Sequence, residues 1–579
     1  MENPSEPDRV QVEAGPALAC TRRRSVARWS IVGVTLCAAL LVRLLFLTAD
    51  PPLDLCWSHG SFTDEGSYTI SARNHVIFGD YSLDGKPWPW DVSFVHPVWD
   101  WVLFAVYKIV GVGLFQARAA AVAVSMLFLV VLWRCGNRLG GGLCGLLALV
   151  FGAFSYVMLM YNRVSIVENL ALLLTSLGLY MVLVGDRRAL MALLAGIVLA
   201  FSVFAKLTSI FAWGIGLLWL LMALLWSQPA ERKVRTSVLL SYVLASGLTA
   251  GFFIALWHIP SWESITALSE QGNLTSLVEH SSLVKVLATV RRFFPSAGLF
   301  VKMPVVTVLG FTFAVWAAMT WRKREAGERF LVLWLALGCA FFSVWNYRPL
   351  RYLLLLAPPL ILLGALALSR WCAGLRGADQ KGQDRVPQRY RLARQLWFAV
   401  AWAVVVFLVF TPLRRQFSMA QWQFVLFGLV VLFAASAGAA LLRRLRPGPS
   451  MRTALTLCVI LVFLAIESIQ HWKWVTNRRY TVQETSRELG MILPPSAVIL
   501  GRQMAAQVAY EHRLPTYSWV AIWDSDELRD LVGRLGVTHV LCGEGEIAKC
   551  AAVFAGYKLM RTFEVGPFKL FLYRVLRCD

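Results

Sequence analysis

Charged side chains are scarce in this chain of 579 residues: they make up 16% of it, whereas 58% of the residues are hydrophobic and the mean hydropathy is +0.60. Soluble globular domains carry charge on about a quarter of their residues. A soluble globular fold is therefore excluded. Apolar runs of about 17 to 25 residues, the length that crosses a bilayer as a helix, recur from Trp29 to His471 and predict about thirteen transmembrane helices.

Acidic residues are the scarcer charge, with 34 Asp and Glu against 56 Lys and Arg, which gives a formal net charge of +22. This excess does not indicate a nucleic-acid partner, because the basic residues lie in short loops between apolar runs. Their density alternates from loop to loop, as the positive-inside rule describes. We therefore expect a multi-pass protein of the cell inner (cytoplasmic) membrane, with a cytoplasmic N-terminus and an extracytoplasmic C-terminal domain.

Cysteine motifs are missing as well. The 11 cysteines show no CxxC spacing and several lie within predicted spans, so they do not indicate a metal site or a disulfide-built domain. Cys542 and Cys550 fall in the part expected to face an oxidising compartment, and the sequence leaves open whether they are bridged. No cleavable signal peptide is found, since the hydrophilic arm before Trp29 leads into a full-length span that we expect to act as a signal anchor.

Composition divides the chain into three regions. We expect residues 1–28 to form a cytoplasmic arm, residues 29–475 a transmembrane domain, and residues 476–579 a small extracytoplasmic domain. Two long outward loops, 49–116 and 258–295, interrupt the transmembrane domain, and the first contains an amphipathic stretch typical of an interfacial helix. In the last region the apolar strands AVILG, THVLC and FKLFLYRV alternate with the helical patterns VQETSRELGMI and SDELRDLVGRLG. The predicted fold class is a polytopic α-helical membrane protein with a C-terminal α/β domain.

Asp64 and Glu65 form an acidic pair in the segment FTDEGSY of the first outward loop. Both suit the first turn of a helix, where backbone N–H groups favour negative charge. They also suit catalysis, with one carboxylate as a general base and the other orienting it or binding a cation. The two interpretations are compatible, and the residues alone do not separate them.

Further ionisable residues lie at the ends of predicted spans, where such groups are costly and tend to be functional. Arg163 and Glu168 stand at the outer entrance of the fourth span, at a spacing that does not place them on one helix face. Arg163 fits an anion in the turn and Glu168 fits the bundle interior, while structural contacts between spans are the alternative. Lys206 suits either snorkelling to the interface or neutralising a bound phosphate.

A second outward cluster contains Arg348, Arg351 and Tyr352 in the segment NYRPLRYLLLLAPP. An arginine fork at this place suits a phosphate group. Anchoring at the membrane interface by Arg and Tyr is the alternative. His96 precedes Pro97 and an apolar helix, so it either caps that helix or serves in a site.

The order of these segments resembles the GT-C superfamily of polyprenyl-phosphate-sugar-dependent glycosyltransferases. The likeness extends over residues 29–370. After the outward Asp-Glu pair it is carried by VHPVWDWVLFAVYKIVG, FQARAAAVAVSMLFLVVLWRCGNRLGG, YNRVSIVENLALLL, GIVLAFSVFAKLTSIF and YRPLRYLLLLAPPL. The chain is most similar to the branch of protein mannosyltransferases, the lipid A aminoarabinose transferase and core-galacturonosyltransferases.

The resemblance implies an inverting sugar transfer, at the outer face of the cytoplasmic membrane, from a polyprenyl-phosphate sugar. Asp64 then matches the general base and Glu65 its acidic partner. His96 is expected near the donor phosphate or a divalent metal cation, for which Asp64, Glu65 and His96 are the candidate ligands. Arg163 and Glu168 match an Arg-x-x-x-x-Asp/Glu element, although many relatives have Asp-Ala where this chain has Glu168 and Asn169. That departure weakens the positioning role expected of Glu168.

Arg348, Arg351 and Tyr352 match a later Arg/Tyr element that faces the lipid-linked phosphate. The full set of expected donor-phosphate-binding residues is His96, Arg163, Lys206, Arg348, Arg351 and Tyr352. The chemistry suits these residue types, because the transfer needs a base for the acceptor and positive charge for the released phosphate monoester.

Three other kinds of protein remain as alternatives: a transporter or flippase, a non-catalytic membrane scaffold that bears an outer α/β module, and a polymerase of lipid-linked glycans. A scaffold would not be expected to carry the acidic pair in the first loop. Transporters more often show internal repeats and charges in mid-span, and the sequence shows neither. A polymerase would be expected to carry its key arginines in its large outward loop. The acceptor stays open between lipid A, a protein and an envelope glycan, and so do the sugar and the isoprenoid length.

Overall fold

The structure, a computed structural model, describes residues 16–55, 63–80, 96–185, 187–260, 262, 298–344, 349–373, 449–501, 503–518, 525–549 and 551–576. Arg348 and Cys550 lie outside the described residues. So does most of the predicted outward loop 258–295, together with the stretch 374–448 and any span predicted within it.

Helices make up the described part of the membrane domain. They are α1 (Pro16–Leu44), α2 (Thr63–Ser67), α3 (Ile70–Phe78), α4 (Pro97–Val110), α5 (Leu114–Phe154), α6 (Tyr156–Tyr161), α7 (Val167–Val184), α8 (Ala189–Ala205), α9 (Ile210–Leu225), α10 (Pro229–Phe253), α11 (Gly298–Lys302), α12 (Pro304–Met319), α13 (Ala326–Ser343), α14 (Leu350–Leu353), α15 (Ala357–Ala373) and α16 (Pro449–Thr476). Among the described residues, seven segments are long and apolar enough to cross a bilayer, and three shorter apolar helices accompany them. The chain is therefore a multi-pass membrane protein, while the expected count of about thirteen spans is not confirmed.

Helix α5 folds back on itself in the middle. Its backbone leaves the helical region at Gly140 and Gly141, and Gly141 has a φ of 76°, which a residue with a side chain rarely adopts. The two arms pack closely: a Cβ built on Gly145 would lie 2.9 Å from the carbonyl oxygen of Trp133. The 41 residues of α5 thus form two antiparallel arms joined by a glycine turn.

The predicted first outward loop, residues 49–116, is largely helical where it is described. Helix α2 begins at Thr63 and places Asp64 and Glu65 in its first turn, so the prediction that the acidic pair opens a helix is confirmed. Helix α4 begins at Pro97, whose fixed φ suits the first helical position. It buries Trp99, Leu103 and Tyr107 and exposes Ile109 and Val110. This apolar helix holds the loop against the membrane domain.

The C-terminal part contains a five-stranded sheet in the order β2-β1-β3-β5-β4. Its elements are α17 (Thr481–Ile492), β1 (Ile499–Gly501), α18 (Gln503–Gln507), β2 (Thr516–Ser518), α19 (Ser525–Arg534), β3 (His539–Gly543), α20 (Glu544–Lys549), α21 (Ala551–Phe554), β4 (Tyr557–Val565) and β5 (Phe568–Val575). β1 pairs in parallel with β2 and β3, whereas β5 runs antiparallel to β3 and β4. The predicted α/β domain is present, with Cys542 buried in β3.

The α/β domain begins where α16 leaves the membrane domain, and Asp50 fixes that junction. Oδ2 of Asp50 accepts hydrogen bonds from the backbone N–H of Thr481 at 2.9 Å and from its hydroxyl at 2.6 Å. Because Thr481 and Val482 begin α17, the carboxylate satisfies N–H groups that have no partner within the helix. Helix α18 in turn packs against α2 of the first outward loop.

Candidate active site

The two carboxylates of α2 lie in different surroundings. Oδ2 of Asp64 lies 2.8 Å from Nη1 of Arg351, and 19% of the Asp64 side chain remains exposed. Glu65 is completely buried. Only the first of the two carboxylates can therefore be reached from outside the protein.

Glu65 is held by four hydrogen bonds from three separate parts of the chain. Arg118 on α5 donates to it from two nitrogens on one edge of its guanidinium, Nε to Oε1 at 2.8 Å and Nη2 to Oε2 at 2.7 Å. The backbone N–H of Ser165 donates to Oε1 at 2.9 Å, and the Gln507 side chain of the α/β domain donates to Oε2 at 3.2 Å. With its oxygens occupied in this way, Glu65 fixes the position of α2.

Asp64, Arg351, Glu168 and Lys206 form an ion-pair cluster. Nε of Arg351 lies 3.2 Å from Oε1 of Glu168, and Nζ of Lys206 lies 3.4 Å from the same oxygen. Arg351, Glu168 and Lys206 are buried, while Asp64 forms the accessible end. Two cations and two carboxylates thus converge from α2, α7, α14 and the turn after α8. The structure brings together these four residues, which lie far apart in the sequence.

Aromatic rings surround the cationic part of the ion-pair cluster. Nζ of Lys206 donates a hydrogen bond of 2.9 Å to the hydroxyl of Tyr68 and lies 4.6 Å from the centroid of the Tyr352 ring. The ring of His96 meets that of Tyr68 edge-on, with 6.3 Å between centroids. His96 precedes α4 without capping it through its side chain. Tyr352 and His96 therefore belong to the same neighbourhood as Lys206.

Burial and charge shift the pKa values of this neighbourhood in definite directions. Burial raises the pKa of the Tyr68 phenol; the positive charge of Lys206 opposes this effect and the negative charge of Glu168 adds to it. Burial by itself would lower the pKa of Lys206, but Glu168, followed by the Tyr352 and Tyr68 hydroxyls, raises it above its ordinary value. Lys206 is therefore protonated, and Tyr68 is a neutral phenol, at physiological pH.

Arg163 lies outside the ion-pair cluster. Its Nη2 atom donates hydrogen bonds of 2.6 Å to the carbonyl oxygens of Leu45 and Phe46, just after α1. Its guanidinium also lies 4.4 Å from the ring centroid of Trp474. Phe46 has a φ of 55°, so this arginine supports a strained turn. Arg163 and Glu168 make no common contact among the described residues, in agreement with the spacing argument.

The expected metal ligands do not form a site. Within the described ranges, no group of three or more His, Cys, Asp or Glu side chains is arranged to hold a metal ion. Glu65 is already saturated by Arg118, Ser165 and Gln507. Asp64, Glu65 and His96 therefore do not fit a divalent cation in this arrangement.

Three contributors to the site were missed in the sequence. Arg118 carried a recognisable signal, because an arginine within the apolar segment FQARAAAV is costly and marks a buried partner. Tyr68 lies four residues after Asp64, one helical turn further on, and could have been noticed from the helical spacing. Gln507 carried no such signal, since an amide in a short helix is unremarkable until its distant partner is known.

The described chain is a polytopic helical membrane protein with an ion-pair cluster beside the loop that follows α1 and a small α/β domain bonded to that loop. No family model and no curated protein sequence matches it.

Solved structures do match. ArnT from Cupriavidus metallidurans bound to undecaprenyl phosphate aligns with a TM-score of 0.50 and 17% identity, over 94% of this chain and 98% of that chain. The same protein in the apo state aligns with a TM-score of 0.51 and 18% identity, over 95% of this chain and 98% of that chain. ArnT is an aminoarabinose transferase of the GT-C superfamily. The chain therefore has the GT-C fold that its motifs predicted.

Proposed function

We propose that this protein is a membrane glycosyltransferase that moves a sugar from a polyprenyl-phosphate carrier to an acceptor at the outer face of the cytoplasmic membrane. The observation that carries the proposal is the accessible Asp64 carboxylate, held 2.8 Å from a buried arginine within a GT-C fold. One similar structure adds support, because that ArnT is bound to undecaprenyl phosphate.

Asp64 is the general base in this mechanism. It takes the proton of an acceptor hydroxyl or amine, and the acceptor atom attacks the anomeric carbon of the sugar as the bond to the phosphate oxygen breaks. A single displacement of this kind inverts the anomeric centre. The pair of electrons leaves with the polyprenyl phosphate, so the acceptor gains the sugar and the carrier departs as a phosphate monoester.

Arg351 and Lys206 stabilise the phosphate that is released. Their charges are fixed in place by Glu168 before the donor arrives, and such preorganised cations stabilise developing negative charge strongly in a water-poor site. Binding of the donor phosphate to Arg351 then frees Asp64 from its ion pair. Tyr352 and His96 line the same neighbourhood, and Arg348 belongs to the proposed set by its place in the sequence.

Two residues change role relative to the sequence expectation. We propose Glu65 as the anchor of α2 and not as a second catalytic acid, because its oxygens are occupied by Arg118, Ser165 and Gln507. We leave Arg163 out of the donor site, because its guanidinium is bonded to the Leu45 and Phe46 carbonyls. No step is assigned to a metal ion.

The test is sugar transfer in membranes that contain the protein, with a panel of labelled polyprenyl-phosphate pentoses, hexoses and uronic acids. Incorporation is counted separately in lipid, protein and glycan fractions, which also identifies the acceptor. We expect Asp64→Asn to lower the rate by at least about a hundredfold, in the range that loss of a general base causes. The matched control Asp530→Asn, on an exposed face of α19, should keep the full rate.

Two results would overturn the proposal. One is transfer by Asp64→Asn at the wild-type rate, which would show that Asp64 is not the general base. The other is the absence of transfer from every donor on the panel by wild-type protein that is correctly inserted in the membrane.

A further inference from the structure

The α/β domain makes a buried polar contact with the helix that carries Asp64. The Gln507 amide forms two hydrogen bonds with α2: its Nε2 donates to Oε2 of Glu65 at 3.2 Å, and its Oε1 accepts from the backbone N–H of Gly66 at 2.8 Å. Gln507 and Glu65 are both completely buried. One amide therefore bonds the two residues that directly follow Asp64.

Tyr510 extends the same contact. Its hydroxyl donates to the carbonyl oxygen of Glu65 at 3.2 Å and accepts from the Thr69 hydroxyl at 2.7 Å. One turn further on, Nη2 of Arg73 donates to the carbonyl oxygens of His512 and Leu514 at 2.7 and 3.0 Å. The segment from α2 to α3 is thus bonded along its length to one stretch of the α/β domain.

Steric fit at Gly66 shows how close the two surfaces are. A Cβ built on this glycine would lie 2.3 Å from the backbone nitrogen of Gln507. No side chain fits there without moving the two backbones apart. The position of α2 is therefore set by direct contact with α18.

We propose that Gln507 and Tyr510 are positioning residues for Asp64, so that the α/β domain completes the catalytic site of the membrane domain. This inference rests on the proposed function, in which Asp64 is the base. Helix α2 has only five residues, Thr63–Ser67, and cannot hold its own geometry. Arg118 fixes it from the membrane side and Gln507 from the outer side, so the Asp64 carboxylate is held between two supports.

The effect expected from a positioning role is a loss of kcat with little change in KM for the donor. A displacement of about 1 Å at a reacting group costs about a hundredfold in rate. Gln507 touches neither Arg351 nor Lys206 among its described contacts, so donor binding should be preserved. Replacement by an apolar side chain of similar size, Gln507→Met, removes both hydrogen bonds and should lower kcat by about ten- to a hundredfold at every pH.

A pH profile separates positioning from a general structural role. Gln507→Glu keeps the shape of the side chain, but its carboxylate faces that of Glu65, and the repulsion raises the pKa of the introduced carboxyl group. In the protonated form the new group again donates to Glu65 and accepts from Gly66. The ratio of variant to wild-type kcat should therefore rise about tenfold as the pH falls from about 8 to about 6.

Gln483→Glu is the matched control. Nε2 of Gln483 donates to Oε1 of Glu511 at 3.3 Å, so this substitution also sets two carboxylates against each other in the α/β domain, without contact to α2 in the described structure. The ratio of its kcat to that of the wild-type protein should stay near one at every pH. All variants are assayed in intact membranes with the polyprenyl-phosphate sugar that the wild-type protein transfers.

The outcomes are distinct. The positioning role is contradicted if the ratio of Gln507→Glu to wild-type kcat does not change with pH, or if Gln507→Met keeps full kcat. Either result leaves the proposed function intact when Asp64→Asn is inactive. Equal pH recovery in Gln483→Glu also contradicts the positioning role, because the effect would then belong to the domain as a whole. Full activity of Asp64→Asn overturns the proposed function itself.

Discussion

At the scale of single residues, the pair of Glu65 and Arg118 determines where α2 can lie. The side chains of both are almost completely buried, and two nitrogens of the guanidinium face two carboxylate oxygens. Nη1 of Arg118 also donates to the carbonyl oxygens of Leu47 and Ala49, at 2.9 and 2.7 Å. The arginine therefore joins the end of the first span to the helix that carries the acidic pair.

Removal of either partner should be strongly destabilising. Loss of one member of a buried ion pair costs about 3–5 kcal/mol, because the other charge is left without compensation. We expect Arg118→Met and Glu65→Gln to lower the free energy of unfolding by such amounts. The double variant should be destabilised by about 1–3 kcal/mol less than the sum of the two, as measured by denaturant unfolding in detergent.

An additive result would contradict this account, since it would mean that the two side chains do not interact. Asp526→Asn on α19 is the control, because its side chain is largely exposed and an exposed ion pair contributes little.

The acidic pair also shows how much of the site could be predicted from the sequence at this scale. The local pattern was sufficient to predict that Asp64 and Glu65 open a helix. It could not predict which carboxylate stays accessible, because that depends on Arg118 and Gln507, which are 53 and 442 residues away from Glu65. Local preference acts within a helical turn, whereas the division of roles between two adjacent acids arises from tertiary contacts.

At the scale of elements, the fold of α5 depends on glycine. Gly141 has a positive φ that a residue with a side chain rarely adopts, and the close packing at Gly140 and Gly145 leaves no room for a side chain. The glycine-rich run GGGLCG is therefore a structural requirement of the helical hairpin.

We predict that Gly145→Ala destabilises the protein by about 1–3 kcal/mol, because the new methyl group would lie 2.9 Å from the Trp133 carbonyl oxygen. Gly214→Ala on α9 is the matched control: nothing lies within 4 Å of a Cβ there, and alanine is the better helix former. Thermal unfolding of the purified protein in detergent measures both. Equal stability of the two variants would show that the arms of α5 are not closely packed.

Elements of the α/β domain were predictable to different degrees. β1, β3 and β5 were predicted because their sequences contain short apolar runs, which are buried in β1 and β3, and the amphipathic helices α17 and α19 were predicted from their spacing. β2 has three residues, too few to show a pattern. β4 lies at the edge of the sheet with most of its side chains exposed, so burial imposes little alternation on its sequence.

At the scale of the whole molecule, the two domains act on each other through the first outward loop. Asp50 accepts a hydrogen bond from the first residue of α17, and Gln507 and Tyr510 bond to α2. The first loop and the α/β domain are therefore joined by contacts that each of them contributes. This arrangement requires the loop 49–116 and the α/β domain to lie on the same side of the membrane. The alternation of basic loops predicts that this side is the exterior.

The orientation can be tested with single cysteines. Arg529→Cys lies on the exposed α19 of the α/β domain, and Arg187→Cys lies in the exposed turn before α8, which the positive-inside pattern assigns to the cytoplasm. In right-side-out membrane vesicles, a membrane-impermeant maleimide should label the first variant and not the second, above the background of the wild-type cysteines. Detergent should make both reactive. Labelling of Arg187→Cys alone in sealed vesicles would reverse the orientation, and it would place Asp64 and its ion-pair cluster on the cytoplasmic face.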